Sequence, residues 1–220
     1  MEKTWRIKNR VSGKTIFSFK CKSFSLCLEI GAALKKDLSF ADLRSADLRF
    51  ANLHSANLHS ADLHSAKLHS ANLHSANLSS ANLSSANLSS ADLRFANLSS
   101  ANLHSANLSF ANLSPADLRS ADLRFANLHS ADLHSADLHS ANLSSADLSS
   151  ADIDFSSLPL WCGSLNANYD DKQTTQILYH LLSVAKNSKN VSDDLRSKLM
   201  KRDLIKQANR FHRVGEVPTL

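Results

Sequence analysis

The chain has 220 residues dominated by Ala, Leu, Ser, Asn and Asp, with only 4 Gly and 3 Pro, a usage that excludes a collagen-like chain and a flexible Gly/Ser linker. The formal net charge of +5 is unevenly placed: residues 1–36 carry nine Lys/Arg against two Glu, residues 37–155 six against twelve Asp, and residues 156–220 ten against six acids, so the total alone does not imply a polyanion partner. Cys21, Cys27 and Cys162 form no CxxC pair, the basic start MEKTWRIKNR has no leader-like apolar core, and nowhere do roughly 18 apolar residues run together, which excludes a disulfide framework and a membrane span and predicts a soluble protein of the reducing cytoplasm.

Residues 1–36 read as a small N-terminal cap. Trp5–Asn9 and Thr15–Lys20 alternate in strand fashion around Ser12-Gly13, which predicts a β-hairpin. Ser25 to Lys36 then sets Leu26, Ile30, Ala33 and Leu34 at helical spacing, so a short helix is expected to lay that stripe on the start of the repeat array.

From Ala41 to Phe155 the chain repeats A-(D/N)-L-x-x in 23 consecutive copies, with Leu38 and Leu158 in imperfect copies on either side. On a helix, at about 100° per residue, leucines five apart would smear round every side. On a straight strand they would point to opposite faces in turn, stranding half of them in water. The period is satisfied only if the backbone turns a corner in every repeat, so that each Leu, and the Ala two before it, point to one interior. The intervening Asp/Asn and the residue after Leu then face out.

After the repeats, LPLWCGSLNANYDDK breaks the rhythm at Pro159 and Gly163 and offers Trp161 as a plug for the apolar end. Asp170/Asp171 mark a helix start, with Ile177, Leu178, Leu181, Leu182 and Ala185 on one face. Ser192-Asp193-Asp194 begins a second amphipathic helix carrying Leu195, Leu199, Leu204, Ile205, Ala208 and Phe211. These helices are open to two uses, capping their own rod or joining two copies as a homodimer.

With Ala two before an inward central Leu over more than half the chain, the array resembles the pentapeptide-repeat family of bacteria and their phages. The resemblance implies an all-β solenoid, a right-handed quadrilateral β-helix with four repeats per twenty-residue coil. By it, residues 37–158 form about six coils and a rod about 30 Å long at the roughly 4.8 Å spacing of stacked strands. Residues 1–36 and 159–220 are then the terminal elements. Stacking at twenty residues sets Asp47 over Lys67 and Asp92 between Asn72 and Asn112, but also places Asp42/Asp62, Asp117/Asp137 and Asp132/Asp152 in direct register.

The outward positions supply the candidate sites. Nine of the 11 histidines come directly after a repeat Leu, among them His54, His59, His64, His69 and His74. Residues five apart lie on successive sides, so these imidazoles diverge, with only His54 and His74 stacked, and a metal site is not expected. Their protonation between pH 5 and 8 would take the acidic middle past neutrality. Phe40, Phe50, Phe95, Phe110, Phe125 and Phe155 end their repeats where Ser is the rule; Phe50 and Phe110 share a column three coils apart, and corner packing is the expected role. His180 and His212 belong to the helices and Cys162 to the terminal cap. No Gly-rich phosphate loop, HExxH or paired-cysteine zinc pattern occurs, and outward neighbours on a rod converge on no pocket. No catalytic residue, cofactor or metal ligand is therefore assigned.

These features point to a non-catalytic structural or interaction protein whose rigid β-helix surface meets a macromolecule, in the first place a protein. The alternative, which the resemblance implies, is a DNA mimic acting on a topoisomerase such as DNA gyrase. Charge weighs against it: duplex DNA carries one charge per about 1.7 Å, so a rod of about 30 Å should show roughly 18, whereas the repeats hold twelve Asp against five Arg and one Lys. A third reading grips nucleic acid through the basic ends, although no aromatic-rich basic face is evident.

Overall fold

A computed structural model describes residues 2–153, 156–157, 168–187, 192–201 and 204–205. The chain divides into two compact units, residues 1–168 and 169–220.

Within the first unit the repeat array winds as its period demands. Each repeat closes a β-turn in which the amide of the next Ala donates to the Leu carbonyl, as from Ala61 to Leu58 at 3.0 Å. Parallel bridges join residues twenty apart, from Asp37–Asn57 through Asp132–Asp152 to Asp137–Ser157, and a final bridge joins Asp147 to Asn168. One turn per five residues and one ladder step per twenty give four sides to each coil. Side 1 carries Leu38 and every twentieth residue after it; sides 2, 3 and 4 begin at Leu43, Leu48 and Leu53. The leucines are fully buried and the alanines from Ala51 onward at most 3% exposed, one continuous dry axis. All the ladder pairs expected from twenty-residue stacking form, Asp47–Lys67 and the three like-charged Asp pairs included.

The Asp/Asn position is a structural one, and outward pointing describes it incompletely. In Ala61–Ser65, the Asp62 amide donates to Ala41 of the preceding coil (2.9 Å), Leu63 to Asn82 of the next (2.7 Å) and Ser65 to Ser84 (3.0 Å). The remaining amide, His64, has no backbone acceptor and donates to the Asp62 side chain at 3.2 Å. With the Ala61 turn bond, all five amides of the repeat are satisfied, as a backbone running past a dry core requires. The same side-chain bond recurs from Asp37–Ser39 (3.0 Å) to Asp147–Ser149 (3.0 Å). Among the described repeats it is missing only where Lys67 stands in for Asp/Asn: no acceptor is found for the His69 amide.

The last residue of each repeat takes a left-handed conformation, with φ between 54° and 61° at Ser and Phe alike. For non-glycine residues that region costs about 1–2 kcal/mol, offset here by the amide's bond to the next coil. No β-branched residue occupies a described corner. Pro115 has no left-handed φ, since its ring fixes φ near −65°. One coil back, no acceptor is found for the Phe95 amide among the described residues, where equivalent corners bond to the next coil.

The N-terminal hairpin forms as expected, with β1 at Lys3–Lys8 and β2 at Thr15–Cys21. Gly13 supplies the positive φ of 67° at its turn, and the Asn9 side chain accepts the Val11 and Ser12 amides, both at 2.9 Å. Asn9 bridges antiparallel to Ala41, while the Lys8 carbonyl accepts the Asp42 amide at 2.8 Å. The hairpin thereby covers the leading edge of side 2.

Helix α1 spans Phe24–Ala33, with the Ser23 hydroxyl accepting the Leu26 amide at 3.1 Å, and ends before Lys36 at a left-handed Lys35 (φ 53°). Its buried face is Cys27, Leu28, Gly31 and Ala32, not the expected stripe. Leu26 and Leu34 are exposed and Ile30 half-buried. The reason is proximity: a Cβ on Gly31 would lie 3.1 Å from Phe17 and 3.4 Å from Leu38, so the face that meets hairpin and coil is the one with small residues.

In the second unit, α2 spans Asp171–Asn187 behind a reciprocal cap, Asp170 amide to Gln173 Oε1 and Gln173 amide to Asp170 Oδ1, each 2.9 Å. Helix α3 spans Asp193–Leu199 with Ser192 as N-cap, and Leu204 and Ile205 are again helical. Tyr179 and Leu182 form the buried core, against Leu178, Leu199, Met200, Leu204 and Ile205. Leu181, expected on the apolar face, is exposed. Pro159, Trp161, Cys162, Gly163, Ala208, Phe211 and His212, with the side chains of His180 and Ala185, lie outside the described residues.

Candidate interaction surface

On the four sides the outward residues are organised by their neighbours in the coil and in the ladder. Each of the five repeat arginines, Arg44, Arg49, Arg94, Arg119 and Arg124, stands two residues after an Asp. Each forks onto that carboxylate, Nε to Oδ1 at 2.8–2.9 Å and Nη2 to Oδ2 at 2.6–2.8 Å. The guanidinium holds Asp42, Asp47, Asp92, Asp117 and Asp122 below the usual carboxylate range. Arg44 also reaches Asp62, and Arg119 reaches Asp137, each at 3.8 Å. Two of the three stacked Asp pairs are thus bridged by a cation, which relieves the repulsion expected of them.

The histidines bond along the ladder to Ser twenty residues on: His59 to Ser79, His64 to Ser84, His69 to Ser89 and His129 to Ser149, Nδ1 to Oγ at 2.8–2.9 Å. His104 meets Arg124 at that position instead, and its buried Nδ1 finds no partner. His54 and His74 stack with centroids 5.1 Å apart. Among the described residues no three His, Cys, Asp or Glu converge on a point that would hold a metal.

The phenylalanines do sit at corners, yet they are not buried there. Phe50, Phe95, Phe110 and Phe125 are 58–72% exposed. Each described corner Phe touches one imidazole of an adjacent coil: Phe40–His59, Phe50–His69, Phe95–His74, Phe110–His129 and Phe125–His104, with centroids 5.4–5.8 Å apart. Phe155 lies outside the described residues. The corner between sides 3 and 4 bears Phe50 and Phe110, about 14 Å apart at three strand spacings. The far corner of side 4 bears Phe95, and that of side 3 bears Phe125. Between them the acids nearest the N-terminus, Asp47 and Asp92, are bound to arginines. The N-terminal part of sides 3 and 4 therefore carries protruding aromatic rings on an Asn/Ser/His ground whose two acids are arginine-bound, while Asp132, Asp147 and Asp152 further along have no Arg in their own repeats.

Two comparisons bear on the family. The model of pentapeptide repeats, in 8 copies, matches residues 37–74, 76–114 and 116–158. The chain belongs to the pentapeptide repeat family. Members of this family form right-handed quadrilateral β-helices, consistent with the four-sided coil seen here. No curated protein matches the chain. Among solved structures, alr5209, a pentapeptide repeat protein from Nostoc PCC 7120, is 39% identical over 47% of this chain and 84% of its own, with a TM-score of 0.42. HetL from the same cyanobacterium, described as involved in heterocyst differentiation regulation, is 30% identical over 61% and 81%, with a TM-score of 0.25. QnrB1, a plasmid-mediated fluoroquinolone resistance protein, is 20% identical over 64% and 82%, with a TM-score of 0.30. Among the described residues no helix is long and apolar enough to cross a membrane.

Proposed function

We propose that this pentapeptide repeat protein is a non-catalytic interaction scaffold: a right-handed rod of about six coils over residues 37–158, flanked by terminal elements at 1–36 and 159–220, that presents sides 3 and 4 to a partner protein in the cytoplasm. One observation carries the reading. The arginines neutralise carboxylates of their own repeats while Phe50, Phe95 and Phe110 stand clear of the rod. Exposed aromatic side chains on a ground where the nearby acids, Asp47 and Asp92, are arginine-bound favour a protein surface, where such residues act as anchors.

The same pairing weighs against imitation of DNA. Five of the twelve repeat-region Asp are compensated in place, leaving a sparse and uneven negative field instead of a charge every few ångströms. Binding of nucleic acid through the basic ends has only the Lys/Arg excess of residues 1–36 and 156–220 behind it.

Ser is the ordinary residue at these corners and adopts the same φ, so Phe50→Ser, Phe95→Ser and Phe110→Ser can be combined without disturbing the coil. The expected outcome is an unchanged circular dichroism melt, with loss of the proteins that the wild-type chain retains from lysate of its source cells. Retention of the same proteins by the triple variant would count against the aromatic face.

A further inference from the structure

The leading edge of the rod is covered only in part. In later coils, the amides on sides 3 and 4 donate to the preceding coil, Lys67 to Ala46 and Asn72 to Ala51, each at 2.9 Å. Among the described residues, the matching amides of Asp47 and Asn52 in the first coil have no acceptor and the carbonyls of Asp47, Arg49, Asn52 and His54 receive no donor. Ala46 is correspondingly half-buried where the later repeat alanines are buried. Beside this edge lies the apolar stripe of α1 that neither hairpin nor coil covers. Leu26, Ile30 and Ala33 form one wall of a groove of about 410 Å³, with Asn52 and His54 opposite. It continues past Ala33 and His54 into a second space of about 630 Å³ lined by Lys35, Lys36, Asp37, Ser55 and Asn57.

We propose that this groove binds an extended segment of a partner protein, which adds a strand to the open edge of the first coil and places an acidic residue at Lys35 and Lys36. Unpaired backbone donors and acceptors in strand register select an extended main chain, and the apolar helix wall selects alternate apolar side chains. The ten residues of α1 span about 15 Å, the length of four or five extended residues. Lys35 and Lys36 are exposed and have no acidic partner among the described residues. The Asp37 carboxylate already accepts from Asn57 Nδ2 (2.8 Å) and the Ser39 amide (3.0 Å), and Glu29 accepts from Ser25 (3.0 Å). A second copy of this chain is the poorer occupant, because edge-to-edge pairing would bring together two N-terminal segments that each carry nine Lys/Arg against two Glu. None of the corner phenylalanines lines the groove, although Phe50 stands on the same edge between Arg49 and Asn52; the two readings rest on different observations, and neither depends on the other.

The test is selection of displayed random twelve-residue peptides on the full-length chain, and then amide hydrogen exchange with the enriched synthetic peptide. The expected peptides carry Asp or Glu beside alternating apolar residues and protect amides within 46–54. They bind at least about tenfold more weakly to the Lys35→Glu/Lys36→Glu variant and to Ala33→Arg, which fills the groove from an exposed helix position. Failure to enrich any peptide, protection confined to other segments, or undiminished binding to both variants would overturn the proposal. So would a dimer in sedimentation that protects the same amides without peptide.

Discussion

Asn87→Ala removes the side-chain oxygen that accepts the Ser89 amide at 3.0 Å, and should cost about 1–2 kcal/mol in urea unfolding, since that amide has no other acceptor. Asn87→Asp keeps the oxygen and should be nearly neutral. The natural exception supplies the converse test: Lys67→Asn gives the His69 amide an acceptor, and should stabilise the array by about 0.5–1.5 kcal/mol. At the corners, Ser100→Val places a β-branched residue at φ 56° and should cost at least about 1 kcal/mol. The burial pattern is legible in the repeat alone, because Leu and Ala keep one side of every turn. The role of Asp/Asn is hidden from a reading by hydropathy, which sees only a polar residue facing out. Its signature is in the sequence all the same: every repeat Arg stands two residues after Asp and never after Asn, as in ADLRS at 41–45 and ADLRF at 121–125. That is the mark of a carboxylate shared between a backbone amide and a guanidinium.

At the scale of the coil, the tube is narrow because Ala and Leu share it. Ala106 is 1% exposed, and Ala106→Leu should overpack its layer and cost about 1–3 kcal/mol, seen as a lower melting temperature. The Asp–Arg forks make the ladders sensitive to acid. Their carboxylates titrate lower in the folded chain than the unfolded value of about 3.9, so their contribution is complete above that pH and is lost as pH falls through the folded values. Melting temperature should therefore hold from pH 7 to about 5 and fall below about 4. Combining Asp42→Asn, Asp92→Asn, Asp117→Asn and Asp122→Asn, which keeps an acceptor for each turn amide, should flatten that fall; superimposable acid profiles would show that the forks contribute nothing. Hairpin and helix could be placed from alternation and spacing. The buried face of α1 could not, because packing there is decided by how closely Gly31 lets Phe17 and Leu38 approach, a long-range fact. The apolar stripe thereby left on the surface is what makes the N-terminal groove.

Across the whole molecule, charge is arranged to cancel locally. The acidic middle and basic ends read from the sequence are real as sums, yet the five repeat arginines lie on carboxylates of their own repeats, so counting charges overstates the field a partner meets. The aromatic corners were legible as positions, but their pairing with histidines nineteen residues ahead or twenty-one behind appears only once the ladder fixes who is adjacent. A rod so compensated offers shape and aromatic contacts in place of a polyanion's potential. Supercoiling by DNA gyrase with the protein added in excess tests this most directly. The predicted result is an unchanged rate with or without a fluoroquinolone; inhibition, or protection from the drug, at concentrations comparable to the enzyme would contradict it.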